Sequence, residues 1–282
     1  MKKSLKSLLN LTAFELDRMS KFLYILIGIT LGANLIGYIM TPMRHVSRLN
    51  EYMSTQSATS QQALDYYGTF TFYDAINTLW IAGPIALGVS GLLIYSLFIW
   101  YREWMGKNTF AYRLLMLPVP RMQLFFSKLI VIYLGIFSLI ATQISSLFIG
   151  FQIVSAIVPT EWFADMSALQ AIQENFLFYY LLPIDLMYFL MINGIGLVFI
   201  VVLFTLILME RSFSVKGIVM GIMYGASALA LTLFPLFLTD IFQNQYILYG
   251  SETIMIVASM LLVIAVTSLF VSRHLLNKKI TI

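Results

Sequence analysis

Few side chains in this sequence could carry out covalent chemistry. Its 282 residues include no cysteine, which removes thiolate nucleophiles, thiolate metal sites and disulfides together. The only histidines are His45 and His274, and the charge topology derived below sets them on opposite sides of a membrane, so they cannot share a metal ion. Ser227 in "YGASA" has no His or Lys at the same expected depth to activate it, and small residues in such a run read as close helix packing. A phosphate-binding loop is also missing: Gly106-Lys107 is followed by Asn108 and preceded by no glycine at the required spacing. The chain therefore reads as non-enzymatic, with no metal and no cofactor of its own.

What remains is a concentration of charge in residues 102–128, "REWMGKNTFAYRLLMLPVPRMQLFFSK". Glu103 and Lys107 stand four apart, a favourable helical pair, and Phe110, Leu114 and Leu117 continue one apolar stripe at spacings of four and three. This predicts a short amphipathic helix. Pro118 ends it, Pro120 holds Val119 extended, and Arg121 to Lys128 opens the next long helix. Such an element is basic, amphipathic and stiff at its end, suited to passing force between membrane helices and a partner; a surface loop that merely obeys charge topology is the alternative.

The elements that must position this loop are membrane helices. The chain is 60% hydrophobic and 11% charged, with a mean hydropathy of +0.87, outside the range of soluble globular domains. Six apolar runs are long enough to cross a hydrocarbon core that takes about 20 helical residues: 22–41, 76–101, 129–158, 176–209, 217–239 and 253–272. No ten-residue alternation suggests a barrel, and irregular backbone cannot face lipid. The expected fold is all-α, a single polytopic domain over residues 1–282 without repeats or soluble-domain-sized loops.

Basic residues set the orientation. With both termini inside, Lys2, Lys3, Lys6, Arg18, Lys21, Arg102, Lys107, Arg113, Arg121, Lys128, Arg211, Lys216, Arg273, Lys278 and Lys279 share one face, leaving Arg44 and Arg48 of the 17 basic residues on the other. Basic residues in short loops keep to the cytoplasmic side, so the net charge of +4 expresses topology and not nucleic-acid binding. A multi-pass plasma-membrane protein of bacterial type is expected. No signal-peptide cleavage pattern stands in the first 24 residues. Residues 1–21 instead place Leu5, Leu8, Leu9, Leu11, Phe14 and Leu16 among Lys3, Lys6, Asn10, Asp17 and Arg18, as an amphipathic helix on the inner leaflet does; a solvated basic tail is the plainer alternative.

Polar residues inside spans are candidates for a transport path: Asn34, Gln143 and Asn193. An amide satisfied by a neighbouring helix is the plainer alternative for each. Asp185, in "LLPIDLMYF", follows Pro183 and sits near the outer surface, lining a vestibule or touching water. Residues 42–74, Ser/Gln/Thr-rich, read as the longest outer loop. In 159–180, Trp162, Phe163, Met166 and Leu169 read as interfacial anchors.

Residues 102–130 resemble the cytoplasmic loop of type-two ABC exporter permeases, in which an acidic residue, a threonine, a Leu-rich turn, a Pro-x-x-Arg-like turn and a lysine opening the third helix recur in order. Here these are Glu103, Thr109, Leu114 with Leu115, Pro118 with Arg121, and Lys128. The sequence departs from the common form at Asn108, Pro120 and Ser127. Six spans, internal termini and the amphipathic start are also similar to that family. The resemblance implies that the loop is a coupling helix seated on a separate ABC ATPase subunit, present in two copies and carrying ATP and Mg. Glu103, Lys107, Thr109 and Arg113 would be polar contacts and Phe110 the apolar anchor. Two ATPases imply two permeases, a homodimer or a pair of sister subunits. The expected cargo is hydrophobic or amphipathic: an antimicrobial or toxin-like peptide, or a lipid. An ion-gradient-driven carrier would instead need charged residues paired at the membrane midplane, and a membrane scaffold would bind its partner without regard to nucleotide.

Overall fold

The computed structural model describes residues 2–104, 119–164, 166–183, 185–241 and 250–279. Among them the secondary structure is helical apart from one isolated bridge between Phe70 and Phe163. In chain order the helices are α1 (Lys2–Gln56), α2 (Ser60–Tyr67), α3 (Phe72–Ile76), α4 (Leu79–Trp104), α5 (Met122–Ile157), α6 (Ala168–Glu174), α7 (Phe176–Leu181), α8 (Leu186–Phe213), α9 (Val215–Ile241) and α10 (Gly250–His274), followed by a π-helical turn, Leu275–Lys279. Six of them, α1, α4, α5, α8, α9 and α10, are long and apolar enough to cross a membrane.

The apolar runs locate these helices, but the helix ends fall elsewhere. Hydropathy marks the part of a helix that needs lipid, whereas intrahelical hydrogen bonding continues wherever caps and side chains permit. Residues 2–21 are helical, yet they form no separate element: α1 runs 55 residues without a break, through Pro42 and on to Gln56. The stretch 42–74, read as an outer loop, holds the end of α1 and two capped helices. Thr59 and Gln62 form a capping box at α2, and Thr71 and Asp74 form one at α3, each satisfying two orphan amides. The run 176–209 is not one helix. Leu182 and Pro183 separate α7 from α8, and a proline cannot continue the hydrogen-bond ladder.

The chain divides into two compact units. The first comprises residues 1–16, 93–132 and 190–282, and the second residues 17–92 and 133–189. In the second, Tyr38, Phe72, Ile76, Ile81, Val154 and Phe178 are fully or almost fully buried in one apolar core. Trp162, Phe163 and Met166 pack against that core. The backbone ties their segment down: the Phe70 amide donates to the Trp162 carbonyl at 2.9 Å, and the Ala164 amide to the Phe70 carbonyl at 2.9 Å. These aromatics, expected as membrane anchors, thus serve the unit's interior, and only Leu169 of that group is well exposed.

In the first unit α8, α9 and α10 share a small core of Val198, Ala228, Leu261 and Ile264. A hydroxyl seam runs beside it. Thr205 Oγ1 lies 2.9 Å from Ser272 Oγ, and the Tyr224 hydroxyl 2.7 Å from Ser268 Oγ. Such bonds fasten helices where lipid offers no competing water. The α8–α9 connection is a single residue, Ser214, whose φ of 54° reverses the chain in the left-handed region. Gly217 faces it so closely that a Cβ there would lie 2.1 Å from the Met209 carbonyl oxygen.

Candidate functional site: a buried ionic cluster

Arg102 and Glu103 close α4, Lys128 lies in the second turn of α5, and Glu15 projects from α1. All four belong to the first unit, and they meet in one cluster. Lys128 Nζ reaches Glu15 Oε1 at 2.6 Å, Glu103 Oε1 at 3.2 Å and the Ile99 carbonyl at 3.1 Å, so its three protons have three acceptors. The second oxygen of Glu15 accepts from Arg102 at 2.9 Å, and Arg102 also reaches the Tyr95 hydroxyl at 3.3 Å. The Lys128 side chain is 1% exposed and those of Glu15 and Glu103 are 3% exposed, whereas Arg102 keeps 30%.

The cluster contains two carboxylates and two cations, so its formal charge is zero. Stripping an ion of water costs several kcal/mol, which mutual attraction offsets only when the remaining donors and acceptors are also met. Here an aromatic wall excludes water. Lys128 Nζ stands 5.4 Å from the Trp100 ring centre, and Trp100 packs against Trp104, Phe125 and Phe204. Farther along, the Tyr101 hydroxyl donates to Glu210, and the Arg211 guanidinium lies over the rings of Tyr101 at 4.7 Å and Trp104 at 5.4 Å.

The mechanical content is that the two ends of the loop are tied to each other and to α1. Glu103 is the exit side and Lys128 the entry side, and Glu15 bonds the same ammonium. Two further contacts reinforce the entry. Ser7 Oγ donates to Gln123 Oε1 at 2.6 Å, and Arg121 donates to the Leu276 carbonyl at 2.5 Å, fixing the start of α5 to the C-terminal π-helical turn. Of the loop residues expected to meet a partner, Lys107, Thr109, Phe110, Arg113 and Pro118 lie outside the described residues. Glu103 and Lys128 are placed inward, so as they stand they hold the loop's base and do not present charge to a partner's surface.

Two of the four candidate path residues meet. Asn34 is fully buried in the second unit, where its Nδ2 donates to Gln143 Oε1 at 3.0 Å and Ser146 Oγ at 2.7 Å. Two of the three amides named as path candidates therefore hydrogen-bond each other. Asp185 caps α8: its Oδ1 accepts from the Tyr188 amide at 2.9 Å and its carbonyl from the Phe189 amide at 2.9 Å. Asn193 lies half-buried two turns into α8, in the first unit.

Sequence reading overlooked Glu15. The signal was present: Thr12, Glu15, Met19, Leu23, Leu26, Thr30, Asn34 and Tyr38 are all buried, at steps of three or four along α1. A carboxylate standing in register on an otherwise interior stripe calls for a buried cation.

No protein-family model matches this chain, and neither does any curated protein or any solved structure.

Proposed function

We propose that this chain is the membrane-spanning permease subunit of an ATP-driven exporter, with residues 102–128 forming the coupling element for a separate ATPase. The observation that carries the reading is the Glu103–Lys128–Glu15 cluster. A push on the loop is delivered to α4, α5 and α1 together, because the loop's two ends and α1 share one buried ammonium. A transmission element needs such a base; a surface loop placed only by its charge does not. The gradient-driven alternative asks for charge at mid-membrane. Glu103 lies about 36 Å along α4 from Leu79 at 1.5 Å per residue, more than the hydrocarbon thickness of about 30 Å, so the cluster sits at a helix end.

In this reading the termini and the loop are cytoplasmic, two permeases work with two ATPases, and the cargo is an amphipathic peptide or lipid moved outward across the plasma membrane. The test is purification of the tagged chain from its native host in mild detergent. An ATPase subunit is expected in stoichiometric amount, released by Phe110→Ala and retained but less stimulated with Lys128→Met. Absence of any ATPase partner across several mild detergents would overturn the reading.

A further inference from the structure

The second unit contains a cavity of about 570 Å³, bounded by α1 just beyond its apolar run and by the first residues of α4. Thr41, Arg44, His45 and Arg48 line one side, Leu79 and Trp80 another, and Phe70 and Asp74 close it. Arg44 and Arg48 stand one helical turn apart on α1. They are the two basic residues that the charge topology leaves on the face opposite the other fifteen, against the usual bias. Both are exposed, and no hydrogen bond or ion pair engages either guanidinium among the described residues. The one carboxylate in the wall, Asp74, directs its Oδ2 to the Thr71 amide at 2.8 Å and the Thr71 hydroxyl at 2.6 Å.

His45 supplies a further observation. Its ring packs on Phe70 at 5.1 Å between centres, in the same wall as the two arginines. Paired guanidiniums suit a phosphate group, through short charge-assisted bonds in a fixed fork.

Depth then selects the kind of phosphate. Leu79 and Trp80 open a membrane-length helix and are exposed at the cavity edge, and Thr41 to Arg48 follow directly on the apolar run of α1. The cavity therefore opens where hydrocarbon gives way to headgroups, with an apolar rim for a chain and a cationic wall for a charge. We infer that this cavity binds the phosphate headgroup of an anionic lipid, Arg44 and Arg48 taking the phosphate and Leu79 and Trp80 the start of its acyl chain. In the charge-derived orientation that lipid belongs to the outer leaflet. The inference does not depend on ATP-driven transport.

The experiment is calorimetric titration of the full-length chain, in a neutral maltoside detergent, with three probes: dihexanoyl phosphatidic acid, dihexanoyl phosphatidylcholine and inorganic phosphate. Phosphatidic acid is expected to bind at least about tenfold more tightly than phosphatidylcholine. The Arg44→Gln/Arg48→Gln variant is expected to lose about tenfold or more, the worth of roughly one charge-assisted contact, while Lys216→Gln on α9 binds as wild type. Both arginines are exposed, so an unchanged unfolding temperature is expected and checks that the variant is folded. Equal affinity for the two lipids, or undiminished binding by the double variant, overturns the inference. Inorganic phosphate binding as tightly as phosphatidic acid overturns the lipid assignment and leaves a site for a free anion.

Discussion

Glu103 and Lys128, separated by the whole loop, form an ion pair at 3.2 Å inside the protein, and Glu15 takes the same ammonium at 2.6 Å. Removing the cation should leave two buried carboxylates facing each other. Lys128→Met is expected to destabilise the first unit by about 3–5 kcal/mol, the usual result of orphaning one side of a buried pair. Adding Glu103→Gln should restore part of that loss by removing the repulsion. Thermal unfolding followed by tryptophan fluorescence checks both, since Trp100 lies beside Lys128; an unchanged transition for Lys128→Met would show that the cluster is not a brace.

Asn34 and Gln143 offer a smaller, measurable coupling. Single replacement of either by Leu should destabilise the second unit, and the double variant should fall short of the sum by about 0.6 kcal/mol, the typical coupling of an interhelical hydrogen bond in a membrane protein. Unfolding of the four proteins in one lipid mixture gives the cycle. Strict additivity would separate the two amides energetically and return them to the list of path candidates.

The two glycines Gly217 and Gly194 should respond oppositely to alanine. At Gly217 a Cβ meets the backbone carbonyl oxygen of Met209 at 2.1 Å, and the α8–α9 turn has one residue with which to adjust; at Gly194 nothing lies within 4 Å. Gly217→Ala is expected to cost about 1–3 kcal/mol, as overpacking does, and Gly194→Ala to gain about 0.5–1 kcal/mol from helix propensity. A paired thermal-shift measurement decides it, and equal shifts would contradict the close approach.

The membrane helices were legible because lipid imposes one requirement, about 20 apolar residues in a row, that composition satisfies or does not. Helix ends were less legible. Nothing in the hydropathy of 42–56 shows that α1 continues there, and capping boxes such as Thr59 with Gln62 become visible only once a helix start is suspected. The cluster was half legible: Glu103 and Lys128 both belong to the loop motif, but Glu103 reads as a contact for a partner, because sequence spacing does not reveal which way a charge at a helix end turns. Glu15 went unnoticed among the N-terminal charges because the amphipathic pattern was read from its leucines and not from the buried three-four register that carries the glutamate. Arg44 and Arg48 were visible as the exceptions to the charge topology; only the fold adds His45, Leu79 and Trp80 to them.

Asp185 tests the difference between a path residue and a cap. Its carboxylate accepts from the Tyr188 amide at 2.9 Å, one of the orphan donors at the start of α8. Asp185→Ala should therefore cost about 1 kcal/mol, while Asp185→Ser and Asp185→Asn, which keep an acceptor oxygen, should cost only a few tenths. The loss should be local: amide exchange at Tyr188 and Phe189 should speed up in the alanine variant and stay near wild type in the serine variant. A carboxylate needed for its charge would behave differently, because serine and asparagine would then be as harmful as alanine to activity while leaving amide exchange unaltered. Exchange and transport measured on the same three variants distinguish the two roles, and the geometry at the start of α8 favours the cap.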